Sequence, residues 1–261
     1  MRVSNEGEAL TVSLQLSQPP SRQAITALAQ ELIKHFLFVR NQIPGLFSDL
    51  EQQVRDAAQA KAAVMLRATS SGKRAPRCPE SRRIHKLLQN IWDLFGAIEG
   101  LASHKAISIM LVLGQTVARP KETYHLTGIL SSATDPRPGN GQDLVRRALR
   151  ALVNAAAEMP EGSASAGPTK MFLLVEMNAS ERTPSGFLPL NNRTMNLKKA
   201  LQVKISLQAP IWREPSSEVM GDQQMEQQMS LVTTGVWYLC KKHVKGIRGA
   251  ASPCVSDNCQ S

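Results

Sequence analysis

A strand-like run near the C-terminus constrains the fold of this chain most. Residues 236–239 combine aromatic and β-branched side chains, and a long polar connection that begins near Pro215 precedes them. Such residues favour strands, so the C-terminal segment must return to a sheet that earlier residues form. The pattern predicts a last strand over residues 236–244 at the sheet edge, with Trp237 largely buried.

Apolar spacing predicts the helices. Between residues 21 and 43 the apolar side chains recur three or four positions apart, which marks one buried helical stripe. The stripe consists of Ile25, Leu28, Leu32, Phe36, Val39 and Ile43. Ser21 can cap this helix, and Pro44 with Gly45 ends the run. The same spacing predicts a second long helix over residues 80–101, and a weaker helix covers residues 47–66.

A third main helix is predicted over residues 143–158, with Asp143 as its N-cap. One side of this helix is apolar and includes Leu149 and Val153, and the other carries Arg146, Arg147 and Arg150. Blocks of like charge usually lie in solvent, so a purely solvated helix face is the simplest interpretation of the three arginines. A partner-binding surface is the alternative.

Four further segments read as strands. Residues 106–113 and 171–177 are apolar, residues 123–126 can pair with the first of them, and residues 201–207 alternate apolar and polar side chains. Helices, a hairpin, another helix and then strands indicate an α+β fold.

We expect one domain over residues 21–248, after a flexible N-terminus over residues 1–20. Predicted loops cover residues 67–79, 134–141, 161–168 and the insert 215–234, and a disordered tail covers residues 249–261.

The formal net charge is +10, which attracts nucleic acid as well as acidic protein faces. The sequence has six Phe, three Trp and two Tyr, and most of them occupy apolar helix or strand positions. No basic strand is rich in the aromatic residues that stack unpaired bases. The net charge alone thus supports the alternative function, a basic nucleic-acid-associated structural domain.

No pattern in the sequence points to catalysis. The five histidines are isolated, the four cysteines have no C-x-x-C spacing, and no G-x-S-x-G motif is present. Gly139 and Gly141 precede a helix, but no Lys-Ser/Thr pair follows them, which favours a turn over a phosphate-binding loop. We predict a protein that is not an enzyme and uses no cofactor or metal. Its apolar runs are too short for a membrane span, and we expect it in the nucleus or cytoplasm.

Four stretches resemble the comet family of HORMA-like checkpoint adaptors. The helix of residues 31–44 looks like that family's first helix, and the hairpin of residues 109–126 looks like its first hairpin. Residues 144–152 are similar to its central helix, and residues 237–248 are similar to its closing strand. The four stretches occur in the family's order, so the resemblance spans most of the chain.

The resemblance implies a HORMA-like domain, with an antiparallel-rich sheet packed by three main helices and closed by a C-terminal belt strand. It also implies an adaptor that docks on the closed form of the spindle-checkpoint protein mitotic arrest deficient two. The adaptor presents that protein to the pachytene-checkpoint AAA+ ATPase for conversion to the open form, which silences the mitotic checkpoint. Meiotic HORMA proteins are further partners in some lineages.

The resemblance also implies roles for particular residues. Contacts with the checkpoint protein fall on Arg146, Arg147, Leu149, Arg150, Val153 and Val39. Contacts with the ATPase fall on Pro189 and Leu190, and the belt strand includes Trp237, Tyr238, Lys245 and Gly246. Vertebrate members carry a polar residue at the position of Val39, an aromatic one at Leu149 and a basic one at Leu190, so contacts there differ in kind.

Overall fold

The structure is a computed structural model, and it describes ten segments of the chain. They are residues 2–6, 9–67, 79–101, 104, 106–128, 141–156, 168–190, 195–197, 200–208 and 235–247. The predicted loops at residues 67–79, 134–141 and 161–168 lie almost wholly outside these segments. The predicted insert 215–234 and tail 249–261 lie wholly outside them.

Four helices and eight strands make up the described part, which confirms the predicted α+β class. The helices are α1 (Arg22–Val39), α2 (Phe47–Arg67), α3 (Pro79–Gly100) and α4 (Gly141–Ala156). The strands are β1 (Arg2–Glu6), β2 (Ala9–Gln15), β3 (Ala106–Thr116), β4 (Arg119–Thr127), β5 (Lys170–Asn178), β6 (Phe187–Leu190), β7 (Leu201–Gln208) and β8 (Gly235–Lys245).

All eight strands join one sheet in the order β1-β2-β7-β4-β3-β5-β8-β6. The pairs of β7 with β2 and with β4 are parallel, and the other pairs are antiparallel. Central strand β3 is buried on both faces, because Ile109 and Leu111 join the main core while Met110 and Val112 join a second apolar cluster. That cluster lies on the face of the sheet opposite the helices.

Helices α1, α3 and α4 pack on one face of the sheet. Helix α1 lies between the other two, with α4 toward β2 and α3 toward β8. Leu28, Leu32 and Phe36 of α1 are buried, as their helical spacing predicts. Ile33 and Leu37, which the predicted stripe did not include, are fully buried as well. Helix α2 packs mainly on α3 and is largely exposed, which agrees with its weaker pattern.

Two predicted helix boundaries are wrong. Ser21 caps α1 as predicted, with its hydroxyl accepting a hydrogen bond from the Ala24 N–H at 3.1 Å. The helix nevertheless ends at Val39 instead of residue 43, because Asn41 adopts the left-handed conformation with φ of 50°. Helix α4 begins at Gly141, so Asp143 lies in its first turn and is not its N-cap.

The prediction of a flexible N-terminus over residues 1–20 is also wrong. Residues Ala9–Gln15 form β2, which pairs in parallel register with β7. Leu10, Val12 and Leu14 are buried in the main core. Their period of two is a strand pattern, and pairing with β7 orders the segment.

The last strand is β8, but it is not the edge strand that was predicted. Short strand β6 pairs with its outer side, so β8 lies second from the edge. Trp237 is half-buried instead of largely buried, because it lies on the sheet face that carries no described helix. Its ring centroid lies 5.6 Å from that of His125.

Candidate functional site

Helix α4 divides cleanly into a buried and an exposed side. Leu144, Ala148 and Leu152 are buried against α1 and the sheet. The opposite side carries four residues spaced as i, i+3, i+4 and i+7, which places them on one helical face. This α4 stripe consists of Arg146, Leu149, Arg150 and Val153.

Within the α4 stripe, the two arginines are exposed, Leu149 is half-buried and Val153 is 58% exposed. Leu149 therefore lies at the margin of the apolar side, as its position in the sequence predicts. Val153 does not belong to the buried side, where the apolar pattern placed it. Arginine is among the residues that contribute most to protein interfaces, so the two arginines are the strongest candidates for partner contacts, and the exposed valine adds apolar area beside them.

Arg147 is separate from the stripe. One terminal nitrogen of its guanidinium donates a hydrogen bond to the backbone carbonyl of Gln15, at the end of β2. This contact holds α4 to the N-terminal strand. Arg147 is thus part of the fold as well as of the surface, a role that neither the partner-contact prediction nor the solvated-face alternative included.

The C-terminal end of α1 adds a second exposed apolar group. Phe38 is 44% exposed, Val39 is 42% exposed, and Leu46 after the helix is 51% exposed. Val39 was predicted both as part of the buried stripe and as a partner contact. Its exposure excludes the first role in this structure and is compatible with the second. Since α1 packs beside α4, both exposed groups belong to the helical side of the molecule.

Pro189 and Leu190, the predicted ATPase contacts, do not face the same way. Both lie on the short outer strand β6, where successive side chains point to opposite faces. Pro189 is exposed, whereas Leu190 is half-buried against the second apolar cluster. Of the two, Pro189 alone presents its side chain freely to a partner.

The predicted belt residues occupy different environments along β8. Tyr238 is buried in the main core and Trp237 is half-buried on the other face. Lys245 is exposed at the end of the strand, and Gly246, immediately after it, is buried. Cys240 is also buried, and burial raises the pKa of its thiol.

A buried polar network that the sequence did not predict fastens the end of β8. Gln42 is 1% exposed, and its side-chain nitrogen donates to the Arg40 carbonyl at 2.7 Å. Its side-chain oxygen accepts from the Thr169 N–H at 2.6 Å. The Gln42 and Thr169 backbone carbonyls then accept from the N–H groups of Ile247 and Gly246, at 2.9 and 2.8 Å. The loop after α1 thereby joins the start of β5 to the end of β8.

The network continues through Arg40 into β4. The Arg40 guanidinium forms an ion pair with Glu122 at 2.8 Å and donates to the Tyr124 hydroxyl at 2.9 Å. That hydroxyl donates to Glu122 at 2.5 Å, and burial raises the pKa of Tyr124, so the phenol stays protonated. We call Arg40, Gln42, Glu122, Tyr124 and Thr169 the polar joint.

Gly246 has no room for a side chain. A Cβ atom there would collide with the side-chain oxygen of Gln42 and approach its backbone carbonyl to 3.1 Å. Farther along the strand, the Lys242 ammonium forms an ion pair with Asp93 of α3 at 3.0 Å. The end of β8 is therefore fixed by a glycine, the polar joint and a surface ion pair.

The described residues contain no group of three or more His, Cys, Asp or Glu side chains that could hold a metal ion. In the same part of the chain, no helix is long and apolar enough to cross a membrane. The small enclosed space between α1 and the sheet is lined almost entirely by apolar side chains, Phe36 and Leu126 among them.

Comparison with known protein families identifies the chain. Residues 3–210 match the model of the p31comet family, described as Mad1 and Cdc20-bound-Mad2 binding. The chain belongs to the p31comet family. This confirms the family predicted from the four sequence stretches, and it makes the protein a member of a family of Mad2-binding adaptors and not of an enzyme family. No curated protein matches the chain. The matched range includes the α4 stripe and ends before β8.

Proposed function

We propose that this protein is an adaptor that binds the closed form of Mad2 through the α4 stripe. Membership of a family that binds Mad2 in Cdc20-bound complexes supports the choice of partner. The observation that carries the choice of surface is the exposure of two arginines and Val153 on one face of a well-anchored helix. Val39, exposed on the neighbouring helix, extends the surface.

The proposed surface can be tested without disturbing the fold. Arg146 and Arg150 have exposed side chains, and neither makes an ion pair with a described residue. The double change R146E/R150E should weaken binding to Mad2 loaded with a Cdc20 segment about tenfold or more, because it opposes the charge of an acidic partner face. Isothermal titration measures this affinity.

Arg82 and Arg83 offer a matched control. They are also exposed arginines on a helix, but they lie on α3 and outside the α4 stripe. R82E/R83E makes the same change in net charge and should leave Mad2 binding unaltered. Wild-type affinity in both double variants would move the interface away from α4. An equal loss of affinity in both would show that only the net charge of the protein matters.

We further propose that the protein presents Mad2 to the pachytene-checkpoint AAA+ ATPase from the other end of the sheet. Helix α4 packs near β2, whereas β6 is the outermost strand on the far side. At roughly 4.8 Å per strand, the two are separated by roughly 30 Å, far enough for both partners to bind together. Exposed Pro189 on β6 is the candidate ATPase contact.

A conversion assay tests this second step. Release of a labelled Cdc20 segment from Mad2 is followed with the ATPase, ATP and this protein present. Pro189→Glu should slow the release while leaving the affinity for Mad2 unchanged. Wild-type release by P189E would exclude β6 as the ATPase contact, and release that needs no adaptor would refute the presentation step.

The same proposal includes a HORMA-like closed domain in which β8 serves as the belt strand. The pairing of β8 with β5 and the polar joint at its end support this role. We also propose that the protein is located in the nucleus and the cytoplasm, and that the same surface binds meiotic HORMA proteins. Imaging of a tagged protein and pull-down with a meiotic HORMA protein test these points.

A further inference from the structure

The face of the sheet opposite the helices carries a cluster of positive charge. Lys170 of β5 and Lys245 of β8 are direct cross-strand partners, and Phe172 and His243 form the next pair on the same face. The Phe172 and His243 ring centroids lie 5.4 Å apart. We call these four residues the lysine patch.

The lysine patch is open to solvent, and no carboxylate of the described residues pairs with it. Lys245 and His243 are exposed and Lys170 is half-buried. Among the described residues, no carboxylate forms an ion pair with either lysine. Burial and the nearby Lys170 lower the pKa of His243, so the imidazole adds no charge at neutral pH. Like charges directly opposite each other destabilise a sheet, so this arrangement weakens the free protein.

Apolar side chains continue the patch along β8. Phe172 and Leu239 both pack, half-buried, against the second apolar cluster around Val112 and Leu174. No described helix covers this face. A ligand lying along β8 would thus meet two lysines first and then an apolar strip.

We propose that this face binds an extended protein segment in which acidic residues are followed by apolar residues. The acidic side chains pair with Lys170 and Lys245, and the apolar side chains cover Phe172 and Leu239. Binding would relieve the repulsion between the two lysines, since opposite charges then surround each of them.

A protein segment fits this face better than a nucleic acid does. Single strands bind through aromatic rings on which successive bases stack, together with a groove that follows the backbone. Here the aromatic rings are engaged within the protein, Phe172 with His243 and Trp237 with His125. The positive charge is confined to one end of the strip, which matches a short acidic stretch. This inference does not depend on the proposed binding of Mad2.

Charge reversal of one lysine separates binding from folding. K170E puts a carboxylate opposite Lys245, which replaces a repulsive pair with an attractive one. The variant should melt at the same temperature as the wild type or higher. Its affinity for an acidic ligand should fall about tenfold or more, because the net charge of the lysine pair becomes zero.

The probe is a fluorescein-labelled peptide with a run of glutamates followed by alternating leucines and serines, measured by fluorescence anisotropy. K204E serves as control, because Lys204 is exposed on the same face but on β7, three strands from β5. The wild type and K204E should bind alike, and K170E should lose binding. If K170E fails to fold, K245E makes the same attractive pair and replaces it.

Three results would overturn the proposal. The first is equal binding of the peptide by the wild type and K170E, and the second is no binding by the wild type. The third is capture of a random single-stranded oligonucleotide through Lys170 and Lys245 in place of the peptide, which would make the face a nucleic-acid site. Mad2 affinity, measured in parallel, should be the same for the wild type, K170E and K204E, so failure here leaves the adaptor function intact.

Discussion

The α4 stripe and the polar joint differ in how the chain builds them. The stripe comes from eight consecutive residues of one helix, 146–153, and its side chains contact mainly solvent. The joint gathers residues from the loop after α1, from β4 and from the position just before β5, and Gln42 bonds to Thr169 across 127 positions of sequence. A surface made locally can change without affecting the fold, whereas a buried joint made from distant residues cannot.

Breaking the ion pair of the joint should have the largest effect on stability. Glu122→Ala removes the carboxylate that pairs with Arg40, and both side chains are less than 10% exposed. Removing the acidic side of a buried ion pair costs about 3–5 kcal/mol of unfolding free energy. Urea denaturation measures the loss. A cost below about 1 kcal/mol would show that the joint is no more sensitive than a surface.

Removing the Gln42 side chain should have the next largest effect. Gln42→Ala removes the acceptor of the buried Thr169 N–H and the side-chain donor to the Arg40 carbonyl, which costs about 3 kcal/mol. Hydrogen exchange should speed up first at the end of β8, where Gly246 and Ile247 bond to the joint. The exposed helix residue Gln52 gives a control, since Gln52→Ala should change neither quantity. Uniform exchange along β8 in Q42A would contradict the anchoring role.

Acidification tests a partly buried polar group outside the joint. Burial, followed by the nearby Lys204, lowers the pKa of His125 to about 4. The unfolded chain binds a proton near pH 6.5, so stability is greatest above that pH, falls between pH 6.5 and about 4 while only the unfolded chain is protonated, and levels off below about 4. The expected loss is about 3 kcal/mol, because each pKa unit corresponds to about 1.4 kcal/mol.

His125→Gln should flatten this pH dependence between about pH 6.5 and 4. Burial also lowers the pKa values of His35 and His243. The stability of H125Q should therefore still fall with decreasing pH, but less steeply than that of the wild type. Thermal melts at several pH values provide the measurement. An unchanged slope in H125Q would assign the pH dependence to the other histidines.

The smallest stability effect is expected on the α4 stripe. R146E/R150E should change the free energy of unfolding by no more than about 0.5 kcal/mol, because exposed substitutions rarely do more. Arg147→Glu should cost slightly more, since it loses the hydrogen bond to the Gln15 carbonyl. Melts of the wild type, R146E/R150E and R147E measure these effects. A large destabilisation by R146E/R150E would show that the stripe is as sensitive to substitution as the joint.

Periodic elements were predictable, and non-local contacts were not. The spacing of apolar residues predicted α3 and β7 nearly to their observed ends, because each buries one regular face. The same period-two signal was present at Leu10, Val12 and Leu14, and it could have predicted β2. Strand β6 has four residues and contains Pro189, so it offers no pattern to read.

The site divides in the same way. Leu149 was correctly placed at the margin of α4, because helical geometry alone decides its position. The joint was missed because its partners lie far apart in sequence and Gln42 looks like an ordinary polar residue of a loop. Buried glutamine becomes informative when the fold shows which backbone groups it satisfies.

The burial of Cys240 makes its thiol a reporter of local opening. A thiol reacts with a dissolved reagent as the exposed thiolate, so a buried thiol with a raised pKa is modified only when the surrounding structure opens. Cys240 lies in the middle of β8, between Tyr238 and the end of the strand. In a chain whose other three cysteines, Cys78, Cys254 and Cys259, are replaced by serine, the rate of thiol labelling therefore records how often the last strand leaves the sheet.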